Sequence, residues 1–197
     1  MIKPIKFLFF ITFFSSLSFT DNLQNIHTET SVTFNLLCAK CHEGECSGRL
    51  SFDTGSKKAA NHIKRYANDP DLSKSKITEF FTLLNYMKKE CALWMPKNEK
   101  PRLENLSHFA LPSYKGYFIP LGFLKPGHYR LIIKTKEKIH FGVEVISNTM
   151  DLLFSHEVCP DSKKNNLHFK IEKPTNTFLR IRSRNPLHII SLTVNTK

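Results

Sequence analysis

The sequence predicts an α+β protein of two domains, in which a small all-α domain is followed by an antiparallel β-sandwich or jelly roll. Two observations carry this prediction. Apolar residues recur at helical spacing up to about residue 91 and at every second position after Lys115. The candidate strands are short, are separated by turn residues and have no helix between them, which favours antiparallel pairing.

Residues 1–20 have the composition of a secretory signal peptide. Lys3 and Lys6 precede a short apolar run, and small residues follow between Ser15 and Ser18. This order of basic, apolar and small residues is typical of a segment removed on export, and an uncleaved N-terminal anchor is the alternative. We therefore expect a periplasmic or extracytoplasmic protein, in a compartment where thiols tend to form disulfides.

The first domain is expected over residues 21–112 and includes a linker. One helix is expected to lead into Cys38, a second to cover 57–67, and a third to run from 73 to 91. The third helix has an apolar stripe that consists of Ile77, Phe80, Phe81, Leu84 and Met87. The proline-rich residues 96–114 are typical of a linker.

The second domain is expected over residues 113–197. Its predicted strands are 116–119, 127–135, 139–147, 150–155, 166–171, 177–182 and 186–194. Turn residues such as Pro126-Gly127 and Asn185-Pro186 separate them, as expected for a sandwich.

Residues 38–42 form a C-x-x-C-H motif. Cys38 and Cys41 at the end of a helix can face the same edge of a flat macrocycle, where their sulfurs can add to its two vinyl groups. His42 then presents an imidazole to the iron, which makes this motif a signal for c-type haem attachment. A thioredoxin-like redox pair needs a βαβ surround, and no parallel strand is predicted before Cys38.

Residues 31–92 resemble a compact class I c-type cytochrome domain. The string NLLCAKCHEGECSGRLSF is similar to the haem-binding helix and its loop, and KITEFFTLLNYMKKE is similar to the last helix. The resemblance implies a cytochrome c-like fold and one covalent haem c, held by Cys38 and Cys41 with His42 as the proximal iron ligand. It also implies an electron carrier between exported redox partner proteins rather than an enzyme.

The sequence departs from this family at the second axial ligand. Most members place a Met between the haem motif and the last helix, but residues 43–76 contain none. Met95, which precedes a proline, is the preferred haem and iron ligand, with Met87, His62 and an open position as alternatives. A Met ligand raises the haem potential and two His ligands lower it, whereas an open position admits a small ligand or peroxide.

Three cysteines remain outside the haem motif. Cys46 and Cys91 are expected to form a disulfide and Cys159 to stay single, although connectivity cannot be read from sequence. A zinc site built from Cys38, Cys41, Cys46 and Cys91 is an alternative use of these residues.

The net charge of +12 is concentrated in the second half of the chain, because residues 113–197 carry 14 Lys and Arg against six Asp and Glu. Arg180, Arg182 and Arg184 alternate along one predicted strand and therefore point to one face. Such a face suits an acidic partner protein or an anionic envelope surface, and a solvated strand face is the alternative. Nucleic acid is not expected as a partner of an exported protein.

These observations predict an exported monohaem electron carrier that docks through a basic β domain. The first alternative is a haem protein with an open distal site, acting as a small-ligand binder, peroxidase or sensor. The second is a non-haem binding protein stabilised by zinc or disulfides. The sequence has no G-x-S-x-G, P-loop or glycine-rich dinucleotide motif.

Overall fold

The computed structural model describes residues 23–43, 46, 56–67, 69–96 and 103–196. The predicted signal peptide at 1–20 lies outside these residues. Within the described residues, no helix combines the length and the apolar character needed to cross a membrane.

Seven antiparallel strands form two sheets. They are β1 (Gly116–Leu124), β2 (Gly127–Thr135), β3 (Phe141–Ser147), β4 (Leu152–Val158), β5 (Lys164–Ile171), β6 (Thr175–Ser183) and β7 (Ile189–Thr196). The strand order is β1-β6-β3-β4 in the four-stranded sheet and β5-β2-β7 in the three-stranded sheet. The seven strands predicted from alternation are confirmed, although most of their ends differ by a few residues.

The alternation of apolar and polar residues buries one face of each sheet. Leu131 and Ile133 of β2 are fully buried, as are Leu179 and Ile181 of β6 in the other sheet. Burial of each such side chain contributes about 1.5–3 kcal/mol. Aromatic rings also join the sheets directly, since Phe154 of β4 and Phe169 of β5 have ring centroids 5.9 Å apart.

The helices precede the sheets along the chain. They are α1 (Thr28–Thr33), α2 (Ala39–His42), α3 (Ser56–Tyr66) and α4 (Lys74–Glu90), and a π-helical turn (Phe34–Cys38) joins α1 to α2 in one continuous helical run. A 3₁₀ helix at Leu103–Phe109 leads into β1. The helices predicted at 57–67 and 73–91 are confirmed within one residue at each end.

The ends of α4 have identifiable signals. The hydroxyl of Ser73 accepts a hydrogen bond from the backbone N–H of Lys76 at 3.2 Å, which satisfies one unpaired donor of the first turn. The helix stops at Cys91, whose φ of 47° places it in the left-handed region. The predicted stripe is largely buried, with Ile77, Phe80 and Met87 all below 9% exposure.

The helical run packs against the end of the four-stranded sheet. A Cβ atom on Gly116 of β1 would lie 3.2 Å from the Leu36 side chain, so glycine permits this close approach. The guanidinium of Arg182 in β6 donates a hydrogen bond to the Leu36 carbonyl at 3.2 Å. The buried apolar residues of the helices and of both sheets belong to one continuous cluster.

The segment after α4 connects the same two parts. The backbone N–H of Leu93 donates to the carbonyl of Asn148, in the turn between β3 and β4, at 2.7 Å. The side-chain amide of Asn35 donates to the Trp94 carbonyl at 3.0 Å. Residues 92–96 are therefore held between the helical run and the sandwich.

The predicted fold class, α+β with a small all-α cytochrome c-like domain ahead of a β-sandwich, is wrong. The described chain is mainly β: two antiparallel sheets form a sandwich, and all the helices except α4 are short. The apolar stripe of α4 was predicted correctly, but periodicity does not say what a stripe packs against. In the folded chain the helices form a layer, and the core of this layer is continuous with the core of the sandwich.

Cys46 and Cys91 lie against each other at the end of α4. The Cys46 thiol donates to the Met87 carbonyl at 3.2 Å, and the Cys91 thiol donates to the Cys46 carbonyl at 3.5 Å. Cys159 is exposed after β4. This arrangement supports the predicted pairing.

We predict that Cys46 and Cys91 form a disulfide in protein recovered from an oxidising compartment. Cys46→Ser and Cys91→Ser should each lower the free energy of unfolding by about 2–4 kcal/mol, because the bond restricts the unfolded chain. Non-reducing peptide mapping and denaturant titration measure these effects. Cys159→Ser is the matched control and should leave stability unchanged; a bridge to Cys159 would contradict the prediction.

We also predict that the helices and the sandwich unfold together. Leu36→Ala removes a side chain that is 4% exposed and should cost about 2–5 kcal/mol. Circular dichroism of the strands and Trp94 fluorescence should then report one coincident transition, shifted in both signals. Ile190→Ala, at a side chain 58% exposed, is the control. Two separate transitions would instead support independent domains at 21–112 and 113–197.

Candidate functional site

The C-x-x-C-H motif lies at the junction of the π-helical turn and α2. Cys38 is the last residue of the turn, and Cys41 and His42 belong to α2. Residues three and four apart on a helix are neighbours, so the two thiols and the imidazole lie on adjoining parts of its surface. Cys38 is half-buried and Cys41 is exposed. π-helical segments inside α-helices occur frequently at functional sites.

An apolar cavity of about 280 Å³ opens beside this motif. It lies between the helical run, α3 and α4, and its walls include the rings of Phe34 and Phe80, whose centroids are 6.5 Å apart. Further apolar lining comes from Ala59, Ile63, Phe81 and Leu84, and the functional groups that reach it belong to Cys38, His42, Lys58 and His62. Mostly apolar walls with a few polar groups are typical of a small-molecule site.

Burial determines the protonation of the two motif residues that line the cavity. It raises the pKa of the Cys38 thiol to about 12, and the neighbouring Cys41 adds to this shift. The Cys38 thiol is therefore protonated at neutral pH and is not a reactive thiolate. Burial also lowers the pKa of His42, with a smaller contribution from Lys88. The lowered pKa of His42 favours the neutral imidazole at neutral pH, which is the form that binds a metal.

These residues fit a covalently attached haem. Cys38 and His42 line the apolar cavity, and Cys41, at the spacing of the attachment motif, is exposed on the same helix outside the cavity lining. Small-molecule pockets measure about 300–1,000 Å³. At about 280 Å³ the cavity lies just below that range, so it would enclose only part of a porphyrin.

The structure separates the predicted distal ligands. His62 of α3 lines the cavity together with His42. Met95 is 7% exposed in the segment held by Asn35 and Asn148, and it does not line this cavity. Met87 is 1% exposed in the core, and its backbone carbonyl accepts a hydrogen bond from the Cys46 thiol.

The four cysteines of the zinc alternative are divided between two places. Cys38 faces the cavity, whereas Cys46 and Cys91 meet at the end of α4. In the parts of the chain that the structure describes, no three His, Cys, Asp or Glu side chains are grouped so that they could hold a metal ion. The described geometry therefore does not assemble this ligand set.

A basic groove of about 430 Å³ lies on the sandwich beside the motif. Its charged lining consists of Lys40, Arg180, Arg182, Arg184, Glu144 and Glu157. Arg180 forms an ion pair with Glu144, and Arg182 donates to the Leu36 carbonyl. Two of the three predicted docking arginines thus make contacts within the chain, while Arg184 is exposed.

Sequence reasoning missed one feature of the site and one buried contact outside it. Lys40 lies inside the motif and joins the arginines of β6 in the groove, a contact between residues far apart in the chain. Glu79 lies in the buried part of α4, where its carboxylate accepts from the backbone N–H of His27 at 3.1 Å and lies 2.9 Å from the His27 ring. The sequence signal for this contact was a carboxylate between the apolar residues Ile77 and Phe80, because a buried charge requires a partner.

No family model matches the chain, and no curated protein matches it. Among solved structures, it is similar to one described as "CBM4 structure and function", with a TM-score of 0.21 and 13% sequence identity. The similarity covers 42% of this chain and 61% of that structure, so the chain spans less than two thirds of its length. At this TM-score the likeness carries no argument about fold or function.

Proposed function

We propose that the chain is an exported c-type haem protein that carries single electrons between redox partner proteins. Cys38 and Cys41 hold one haem c through thioether bonds, and His42 binds its iron. The exported location rests on the composition of residues 1–20. This assignment concerns the attachment site and does not require an all-α cytochrome domain.

One observation carries the proposal: the attachment motif lies on a helix at the wall of an apolar cavity. Cys38 and His42 both line that cavity, and the rings of Phe34 and Phe80 form part of the same wall. A disulfide-forming or zinc-binding pair does not need an apolar space beside it, whereas a porphyrin does. The neutral state of the His42 ring also suits iron binding.

Each group has a distinct task in electron transfer. The bound haem supplies the one-electron ferric–ferrous couple. Cys38 and Cys41 would hold the cofactor against the helix, and His42 would supply a nitrogen ligand to its iron. The aromatic walls exclude water and lower the local polarity, which tunes the redox potential.

We further propose that the basic groove docks an acidic redox protein. The groove includes Lys40, which lies between the two haem-binding cysteines, so a partner seated there is next to the cofactor. Arg184 adds an exposed charge on the same side. Positive clefts attract acidic partners over a distance and speed their encounter.

Haem attachment is tested in the chain exported together with c-type maturation machinery. Intact-protein mass spectrometry should show one covalently added haem, and the pyridine haemochrome spectrum should be that of two thioether links. Cys38→Ala with Cys41→Ala should abolish the added mass, while Cys159→Ser should retain it. A matured wild-type protein without added haem would refute the proposed function.

Docking is tested by electron exchange with the hexacyanoferrate anion, which stands in for an acidic partner. Lys40→Glu and Arg184→Glu should each slow the exchange about 2–10-fold at low salt, because they remove attraction beside the cofactor. The difference should disappear at high salt. Lys125→Glu makes the same charge change at the far end of β1 from Gly116 and serves as the control. Equal effects of all three variants would contradict a localised docking groove.

A further inference from the structure

We propose that His62 is the second axial ligand of the iron, opposite His42. This inference rests on the proposed covalent haem and names the residue that completes its coordination. The observation behind it is that two histidines from different helices, His42 of α2 and His62 of α3, reach the same apolar cavity.

The spacing of the two rings matches shared coordination. Their centroids lie 6.0 Å apart with the ring planes at 80°. A metal binds an imidazole nitrogen at about 2.0–2.1 Å, and the ring centre lies about 1 Å beyond that nitrogen, so two imidazoles on opposite sides of one metal have centres about 6 Å apart.

The neighbours of His62 hold its ring near this position. The ring packs on Tyr66, one turn further along α3, with centroids 4.5 Å apart, and the Arg65 guanidinium lies 5.9 Å from the Tyr66 ring centre. Ile63 next to it is 8% exposed and joins the core. α3 is thus anchored by its buried face while His62 lies at the mouth of the cavity.

Met95 and Met87 are less well placed than His62 to bind the iron. For Met95 to reach the iron, residues 92–96 would have to leave the helical run and the sandwich, and the 2.7 Å hydrogen bond between Leu93 and Asn148 would break. Met87 is buried in the core at 1% exposure, outside the lining of the cavity. His62 requires neither rearrangement.

Ligation by two histidines has measurable consequences. Because a Met ligand raises the potential of a c-type haem, a His62 ligand keeps it low. It also fills the sixth position, so the ferrous protein should not bind carbon monoxide rapidly. The proposed role is therefore electron carriage at low potential rather than capture of a small ligand.

The test uses the matured wild-type protein and four variants. Electron paramagnetic resonance of the ferric wild type should show a low-spin iron with two imidazole ligands. His62→Ala should lose that signal and bind carbon monoxide, and His62→Met should raise the potential and gain the far-red band of a Met–iron bond. Met95→Leu and the exposed His128→Ala should match the wild type.

The outcomes separate this inference from the proposed function. Covalent haem with a Met–iron band that Met95→Leu abolishes would overturn His62 ligation and leave haem attachment intact. Rapid carbon monoxide binding by the wild type would also overturn His62 ligation and leave haem attachment intact, because it would indicate an open sixth position. Absence of covalent haem in the wild type would overturn both. If His62→Ala fails to mature, the wild-type resonance spectrum alone decides the ligand pair.

Discussion

The close contact between the π-helical turn and the four-stranded sheet is the constraint on which the rest of the structure depends. Leu36 packs where Gly116 has no side chain, and Arg182 donates to the Leu36 carbonyl. A buried carbonyl needs such a donor, because it has lost its water. This contact sets the position of the helical run on the sheet and therefore the direction in which Cys38 and His42 face.

The short helix after that turn separates two environments. Cys38 and His42 are four residues apart and line the apolar cavity, whereas Lys40, between them, lines the basic groove. Helical geometry produces this division, since residues four apart share a face and residues two apart do not. A cofactor held on one side of α2 would thus lie close to a charged surface on the other side.

The cavity depends on helices that the sheet supports. Its walls come from three helical segments, and these segments are joined to the sandwich by buried side chains and by the segment after α4. The buried carboxylate of Glu79 also joins distant parts of the chain, because it accepts a hydrogen bond from the backbone N–H of His27 and lies next to the His27 ring. Polar groups within this layer therefore tie distant segments together.

The sequence by itself determined the local features of this protein. Alternation located the seven strands, the apolar stripe and Ser73 located α4, and the spacing of Cys38, Cys41 and His42 defined the candidate site. Each of these depends on residues a few positions apart, so neighbouring side chains are sufficient to encode it.

Only the tertiary structure decided what these elements pack against. It placed the helices on a β core, brought His62 rather than Met95 into the cavity of His42, and engaged Arg180 and Arg182 in contacts within the chain. The physical reason is that long-range contacts follow from competition among all the apolar surfaces that the chain can bury together. A local pattern shows that a surface is apolar, but its partner is chosen by the fold as a whole.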